Sequence, residues 1–109
     1  MITATLRIDV SEKRRGEVNR LLRSLIEPTR VETGCISCRL YHEEDDPNIV
    51  TWVEEWQEEA DLKRHLRSPQ YRKILAALDL ADARPEVRFD TVLETTGMQL
   101  IEEARSENG

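Results

Sequence analysis

Ile2, Ala4, Leu6, Ile8 and Val10 alternate with Thr3, Thr5, Arg7 and Asp9, the period of two that marks a strand with one apolar face. Ser11 can cap a helix, and Val18, Leu21, Leu22, Leu25 and Ile26 then recur at helical spacing. Lys13, Glu17, Arg20 and Glu27 fall on the opposite side of that helix. Pro28 is expected to kink it or start a new turn, because proline lacks a backbone donor, and Gly34 to stop it. A second strand is expected from Cys35 to Glu43 and a third from Ile49 to Trp56. The acidic turn Glu44-Asp45-Asp46-Pro47-Asn48 joins them as a hairpin. Gln57 to Arg67 is helical in composition, with Leu62 and Leu66 one turn apart. Ser68-Pro69 then starts a fresh helix with Tyr71, Ile74, Leu75 and Leu78 along one face. Pro85 to Thr95 reads as a fourth strand, with Val87, Phe89 and Leu93 on one side. After Gly97, Met98, Leu100, Ile101 and Ala104 mark a short terminal helix that frays from Ser106 to Gly109.

The order strand, helix, strand, strand, helix, strand predicts an α+β, ferredoxin-like split βαβ fold with a four-stranded antiparallel sheet. Residues 1–97 are expected to form that domain and residues 98–109 a short helix and tail. Helices on one face of the sheet leave the other bare, and a second copy is its simplest cover, so a homodimer closed sheet to sheet is expected. A length of 109 residues suits one domain with a core of its own. With 16 Lys plus Arg against 22 Asp plus Glu, the charge of −6 argues against binding nucleic acid. No apolar run nears the ~20 residues of a membrane span. The first residues also lack the basic start and apolar stretch of a secretory signal, so the expected setting is the cytoplasm.

Cys35 and Cys38 form a C-x-x-C. A redox pair of this kind normally opens a helix, whereas these two lie on a predicted strand. Three strand steps would separate their Cα atoms by roughly 10 Å and turn the side chains to opposite faces. That geometry excludes a disulfide, and no second Cys or His cluster completes a zinc site. Two small packed residues, both reduced, are expected.

Three segments carry a family resemblance: Glu32-Thr33-Gly34-Cys35-Ile36, Val53-Glu54-Glu55-Trp56 and His65-Leu66-Arg67-Ser68-Pro69. In order and spacing they resemble the antibiotic biosynthesis monooxygenase (ABM) domains, and the similarity runs over residues 2–95. The resemblance implies a dimeric α+β barrel of ferredoxin-like protomers, each with a pocket between sheet and helices. Characterised members oxidise quinols or polycyclic phenols with O₂ and neither metal nor flavin. Others degrade haem, isomerise small signals or have no known activity. This chain departs from the pattern at Gln70-Tyr71, where many members carry a second histidine. The haem-degrading branch has a tryptophan in the place of His65, a histidine ligand near the place of Leu75, and an asparagine with no counterpart among Thr5, Leu6 and Arg7. Haem degradation is therefore set aside.

Oxygenation without a cofactor needs a substrate that supplies the electrons, a base, a hydrogen-bond donor or two, and a flat apolar slot. His65 is the candidate base, since an imidazole titrates near neutrality and this one borders the apolar stripe of its helix. The alternative is a half-buried histidine that only bonds the broken helix end. Trp52, Glu54 and Trp56 share one strand face by parity, an acid between two indoles, as at a pocket, barrel interior or dimer seam. The competing readings are packing for the tryptophans and an ion pair of Glu54 with Arg39 or Arg7. Tyr71 heads an apolar stripe and offers a hydroxyl donor, and Arg39 could meet an anionic ligand if it is not paired. His42, beside Glu43, Glu44 and Asp45, is expected in solvent. The sequence thus points to a cofactor-independent monooxygenase acting on a small electron-rich aromatic. His65, Glu54 and Tyr71 would be catalytic, and Trp52, Trp56 and Arg39 substrate-binding. The alternative is a non-catalytic dimeric barrel that binds or sequesters a small ligand. Which aromatic is taken is not written in the residues.

Overall fold

The computed structural model describes residues 1–107. Strand β1 (Ile2–Asp9) leads to helix α1 (Glu12–Arg30), then β2 (Cys35–His42), β3 (Ile49–Trp56), α2 (Glu59–Arg67), α3 (Tyr71–Asp79), β4 (Glu86–Thr91) and α4 (Gln99–Glu107). The strands form one antiparallel sheet in the order β2-β3-β1-β4, the ferredoxin-like α+β arrangement expected from the element order. Among the described residues no helix is long and apolar enough to cross a membrane.

The even positions of β1 are buried, as their alternation requires: Leu6 and Ile8 meet Val18, Leu22 and Leu25 of α1 with Ile74 and Ala77 of α3, while Ile2 and Ala4 pack with Trp56 and Leu62. Each large aliphatic side chain buried in this layer contributes about 1.5–3 kcal/mol. Proline does not end α1: Pro28 lies inside it, two residues before the last. On α3 the inward positions are Tyr71, Ile74 and Ala77, a spacing of three that rotates the expected Leu75 out to half exposure. Strand β4 is shorter than expected, ending at Thr91, and Leu93 beyond it is 94% exposed.

The outward face of the sheet carries Thr3, Thr5, Arg7, Thr51, Glu55 and Arg39, with Val53 and Tyr41 among them. It is a mostly polar surface, crossed by ion pairs from Arg7 to Glu43 and Glu86. More than half of the exposed large apolar side chains lie instead on β4 and the C-terminal arm, at Val87, Phe89, Leu93, Met98, Leu100 and Ile101.

Strand β2 corrects the reading of the cysteines. A β-bulge at Ile36 places Cys35 opposite Trp56 and Cys38 opposite Glu54, and Trp56 and Glu54 share a face. The extra residue resets the parity, so both cysteines point to the helix side while Ile36 turns out to solvent. Both thiols are free.

Candidate functional site

Gly34 sets up the site. It sits at φ 83° in the turn after α1, a conformation that side chains disfavour, and a Cβ there would collide with the Asp61 side chain of α2. The bare glycine lets α2 settle on the turn, pinned by the Gln57 amide donating to the Gly34 carbonyl at 2.8 Å. One helical turn beyond Asp61, on the same face of α2, His65 is then carried between the turn and the sheet.

There the imidazole is fully buried and held from both sides. Its Nδ1 lies 2.9 Å and 3.0 Å from the two carboxylate oxygens of Glu32, and its Nε2 lies 2.8 Å from Oε2 of Glu54. Ionised carboxylates only accept hydrogen bonds, so with both acids ionised each ring nitrogen donates and the ring is an imidazolium. Burial opposes that charge. The hydrogen bond and charge of Glu54, joined by the charge and hydrogen bond of Glu32, outweigh burial and raise the His65 pKa above its ordinary value.

Glu54 is 2% exposed and accepts two further bonds, from the Trp52 indole at 2.7 Å to Oε2 and the Trp56 indole at 3.0 Å to Oε1. Residues i−2, i and i+2 of one strand share a face, so the buried acid carries its own pair of donors beside it. His65 is also sandwiched between rings, 4.7 Å from Trp56 and 5.1 Å from Tyr71 between centroids, each tilted by about 30°. Burial, and secondarily the Glu54 charge, pushes the Tyr71 hydroxyl up to about 12, so it stays a donor. Glu32 is the member that reaches solvent, with 25% of its side chain exposed, and Gln70 reaches toward it and toward the Thr29 hydroxyl at 3.4 Å.

The structure therefore brings His65, Glu54, Trp52, Trp56 and Tyr71 together and leaves Arg39 out. Arg39 is exposed on the outer face of the sheet, opposite Val53, so neither it nor Arg7 pairs with Glu54. The His65 ring does not bond the broken helix end either. Ser68 does that, its hydroxyl donating to the His65 carbonyl at 2.7 Å and accepting from the Tyr71 amide at 3.3 Å. His42 is in solvent as expected, 3.1 Å from the Asn19 side chain. Glu32 and Gln70 are the residues that sequence reasoning missed as site members. Glu32 was visible in the Glu-Thr-Gly-Cys segment, but a partner 33 positions away cannot be read from spacing.

Beside this system an open groove of about 250 Å³ runs between α2 and the β1–β4 edge. Ile2, Leu62, Leu66 and Phe89 line it, with Glu59 and Lys63 at its rim, and Trp56 packs in the same cluster as Ile2, Leu62 and Leu66. Trp52 belongs to the larger core cluster, away from the groove. Among the described residues, no three His, Cys, Asp or Glu side chains converge as a metal site.

Fold and site define a ferredoxin-like α+β protein built around an internal carboxylate–imidazole–carboxylate chain flanked by indoles. Residues 1–77 match the family described as Antibiotic biosynthesis monooxygenase, and the chain belongs to that family. An uncharacterized protein of Synechocystis is 30% identical over 89 residues, which is 81% of this chain and 60% of that protein, so the chain spans less than two-thirds of this curated relative. Among solved structures, a conserved protein from Methanosarcina mazei is 33% identical with a TM-score of 0.76, over 82% of this chain and 89% of the other. The Mycobacterium tuberculosis protein Rv0793 is 25% identical with a TM-score of 0.79, over 88% and 98%. A candidate antibiotic biosynthesis monooxygenase from Deinococcus radiodurans shares the fold at 18% identity and a TM-score of 0.83, over 90% and 98%.

Proposed function

We propose that the chain is a cofactor-independent monooxygenase that oxidises a small electron-rich aromatic, a phenol or quinol, with O₂. The observation that carries this reading is the buried Glu32–His65–Glu54 chain beside an apolar groove, in a member of this family. A phenol plus O₂ gives a quinone plus water. All four electrons come from the ring, so no external reductant is needed. What the protein must supply is a slot, a proton acceptor and donors for the developing oxyanion.

The groove supplies the slot, with Trp56 behind its apolar lining. Its volume of about 250 Å³ is at the small end for ligand sites, which favours one or two fused rings. The imidazole is bonded at both nitrogens, so it acts as a relay. The Nδ1 proton passes to Glu32, the member open to solvent, and Nε2 regains one from the Glu54 side, so a proton taken from the substrate leaves to water. Tyr71 belongs, like Trp52, to the larger core cluster and not to the groove lining, and its ring, stacked on His65, holds the imidazole in place.

A second reading, a barrel that binds or sequesters its ligand without turnover, is favoured by one observation. His65 and Glu54 are sealed from solvent and their bonding positions are taken by protein groups. Oxygen uptake by chelator-treated protein with a panel of hydroquinones and phenols separates the two. The monooxygenase consumes one O₂ per phenol and forms the quinone. A protein that binds the same compounds without consuming O₂ is the binder.

A further inference from the structure

The two carboxylates that hold His65 are not equivalent. Glu54 is bonded wholly inside the core: Oε2 accepts from the Trp52 indole and from Nε2, and Oε1 accepts from the Trp56 indole. Glu32 keeps a quarter of its side chain in solvent, and beyond Nδ1 it accepts a long contact of 3.4 Å from the Gln70 amide. Its backbone is fixed in the turn after α1. The Glu32 amide donates to the Thr29 carbonyl and its carbonyl accepts from the Cys35 amide, each at 3.1 Å. Rotation of the side chain alone is therefore enough to carry this carboxylate to water.

A neutral imidazole has one N–H and one bare lone pair, so it can donate to one of the two acids and not to both. The nitrogen that loses its proton is left facing a carboxylate, acceptor against acceptor, across 2.8 Å at Glu54 or 2.9 Å at Glu32. Loss from Nε2 would leave a buried anion against a lone pair, with no water to turn to. Loss from Nδ1 lets Glu32 leave and be solvated. The other titratable and charged groups around the ring do not compete. Burial pushes up Tyr71 on α3 and Cys35 and Cys38 on β2, so all three stay neutral. On α2 itself Asp61 and Arg64 pair with each other at 3.1 Å, and Arg30 at the end of α1 is taken by Glu27 and the Cys38 carbonyl.

We propose that Glu32 is a proton-operated latch on His65: the ring gives up its Nδ1 proton, keeps its Nε2 proton on Glu54, and the Glu32 side chain swings out to water and uncovers Nδ1. Glu32 is then a positioning residue, setting which ring nitrogen is left free to take a proton. The latch joins the turn after α1 to α2, the helix whose Leu62 and Leu66 wall the groove. It belongs to the resting protein and needs no substrate; only its use as the exit for a substrate's proton rests on the monooxygenase reading.

The test is nitrogen-15 NMR of the full chain from about pH 6 to about pH 10, without substrate. The chain has two histidines, so His42→Gln leaves His65 as the single ring signal. Above the midpoint Nε2 is expected to keep its proton while Nδ1 takes the shift of a bare ring nitrogen. Overhauser contacts between the Glu32 side chain and the His65 ring are expected below the midpoint and lost above it. Glu32→Gln, whose amide can donate to a bare Nδ1, is expected to weaken proton binding by the ring at least about tenfold and to keep those contacts above the midpoint. A ring that keeps its Nδ1 proton and loses the one on Nε2, a Glu32 contact that survives deprotonation, or an unchanged midpoint in Glu32→Gln overturns the latch. The expected titration in a protein that takes up no O₂ with phenols overturns the monooxygenase reading and leaves the latch standing.

Discussion

His65 on α2 donates from Nε2 to Oε2 of Glu54 on β3 at 2.8 Å, and both side chains are sealed from solvent. Two ionisable groups are rarely buried without a partner, and here each is the partner of the other. With Glu32 on the second nitrogen, the unit is a buried imidazolium whose position is set by both the sheet and the turn after α1.

Removing the imidazole leaves Glu54 buried with two indole donors and no counter-charge. His65→Ala is therefore expected to lose about 3–5 kcal/mol of stability, read from urea unfolding. This corrects the expectation of a histidine that only borders the apolar stripe of its helix. Glu54→Gln replaces an acceptor oxygen by a donor amide facing N–H groups, and about 2–3 kcal/mol is expected from the misfit.

Because the folded pKa of His65 is raised, its protonation stabilises the fold. That contribution is fully present below the unfolded pKa of about 6.5 and is lost as pH rises through the folded value. Stability measured from pH 6 upward is expected to decline through that window, and the decline should vanish in Glu32→Gln/Glu54→Gln, where neither carboxylate remains to raise the pKa.

Gly34→Ala adds a Cβ at positive φ and against Asp61. It is expected to destabilise by more than about 1 kcal/mol and to shift α2 away from the turn. Because α2 carries His65, the tryptophan signal in near-ultraviolet circular dichroism should change along with stability. Stability loss with an unchanged tryptophan signal would separate the turn from the site.

How much of this was legible depends on range. The strands, the helix break at Ser68 and the shared face of Trp52, Glu54 and Trp56 follow from local periodicity, and the fold class follows from their order. The Ile36 bulge was not legible, because one unpaired residue resets parity without altering composition. Nor was the Glu32–His65 pair, which depends on how closely α2 approaches a glycine turn. Arg39 failed as a site residue for a related reason: the strand parity that places Glu54 inside puts Arg39 outside, once the bulge has set the register.

The cysteines are expected to be slow toward alkylation despite sharing a face. Burial, and after it the Glu54 charge, pushes the Cys35 thiol up to about 11, and burial raises Cys38 further. Native protein at pH 8 should react with iodoacetamide at least tenfold more slowly than urea-unfolded protein.

Nitrogen-15 NMR of the His65 ring at pH 7 tests the central claim, an imidazolium held between two carboxylates, most directly. The account predicts that Nδ1 and Nε2 both carry protons, and that the titration midpoint lies above 6.5, the ordinary histidine value. An unprotonated ring nitrogen at pH 7, or a midpoint below the ordinary value, would contradict it.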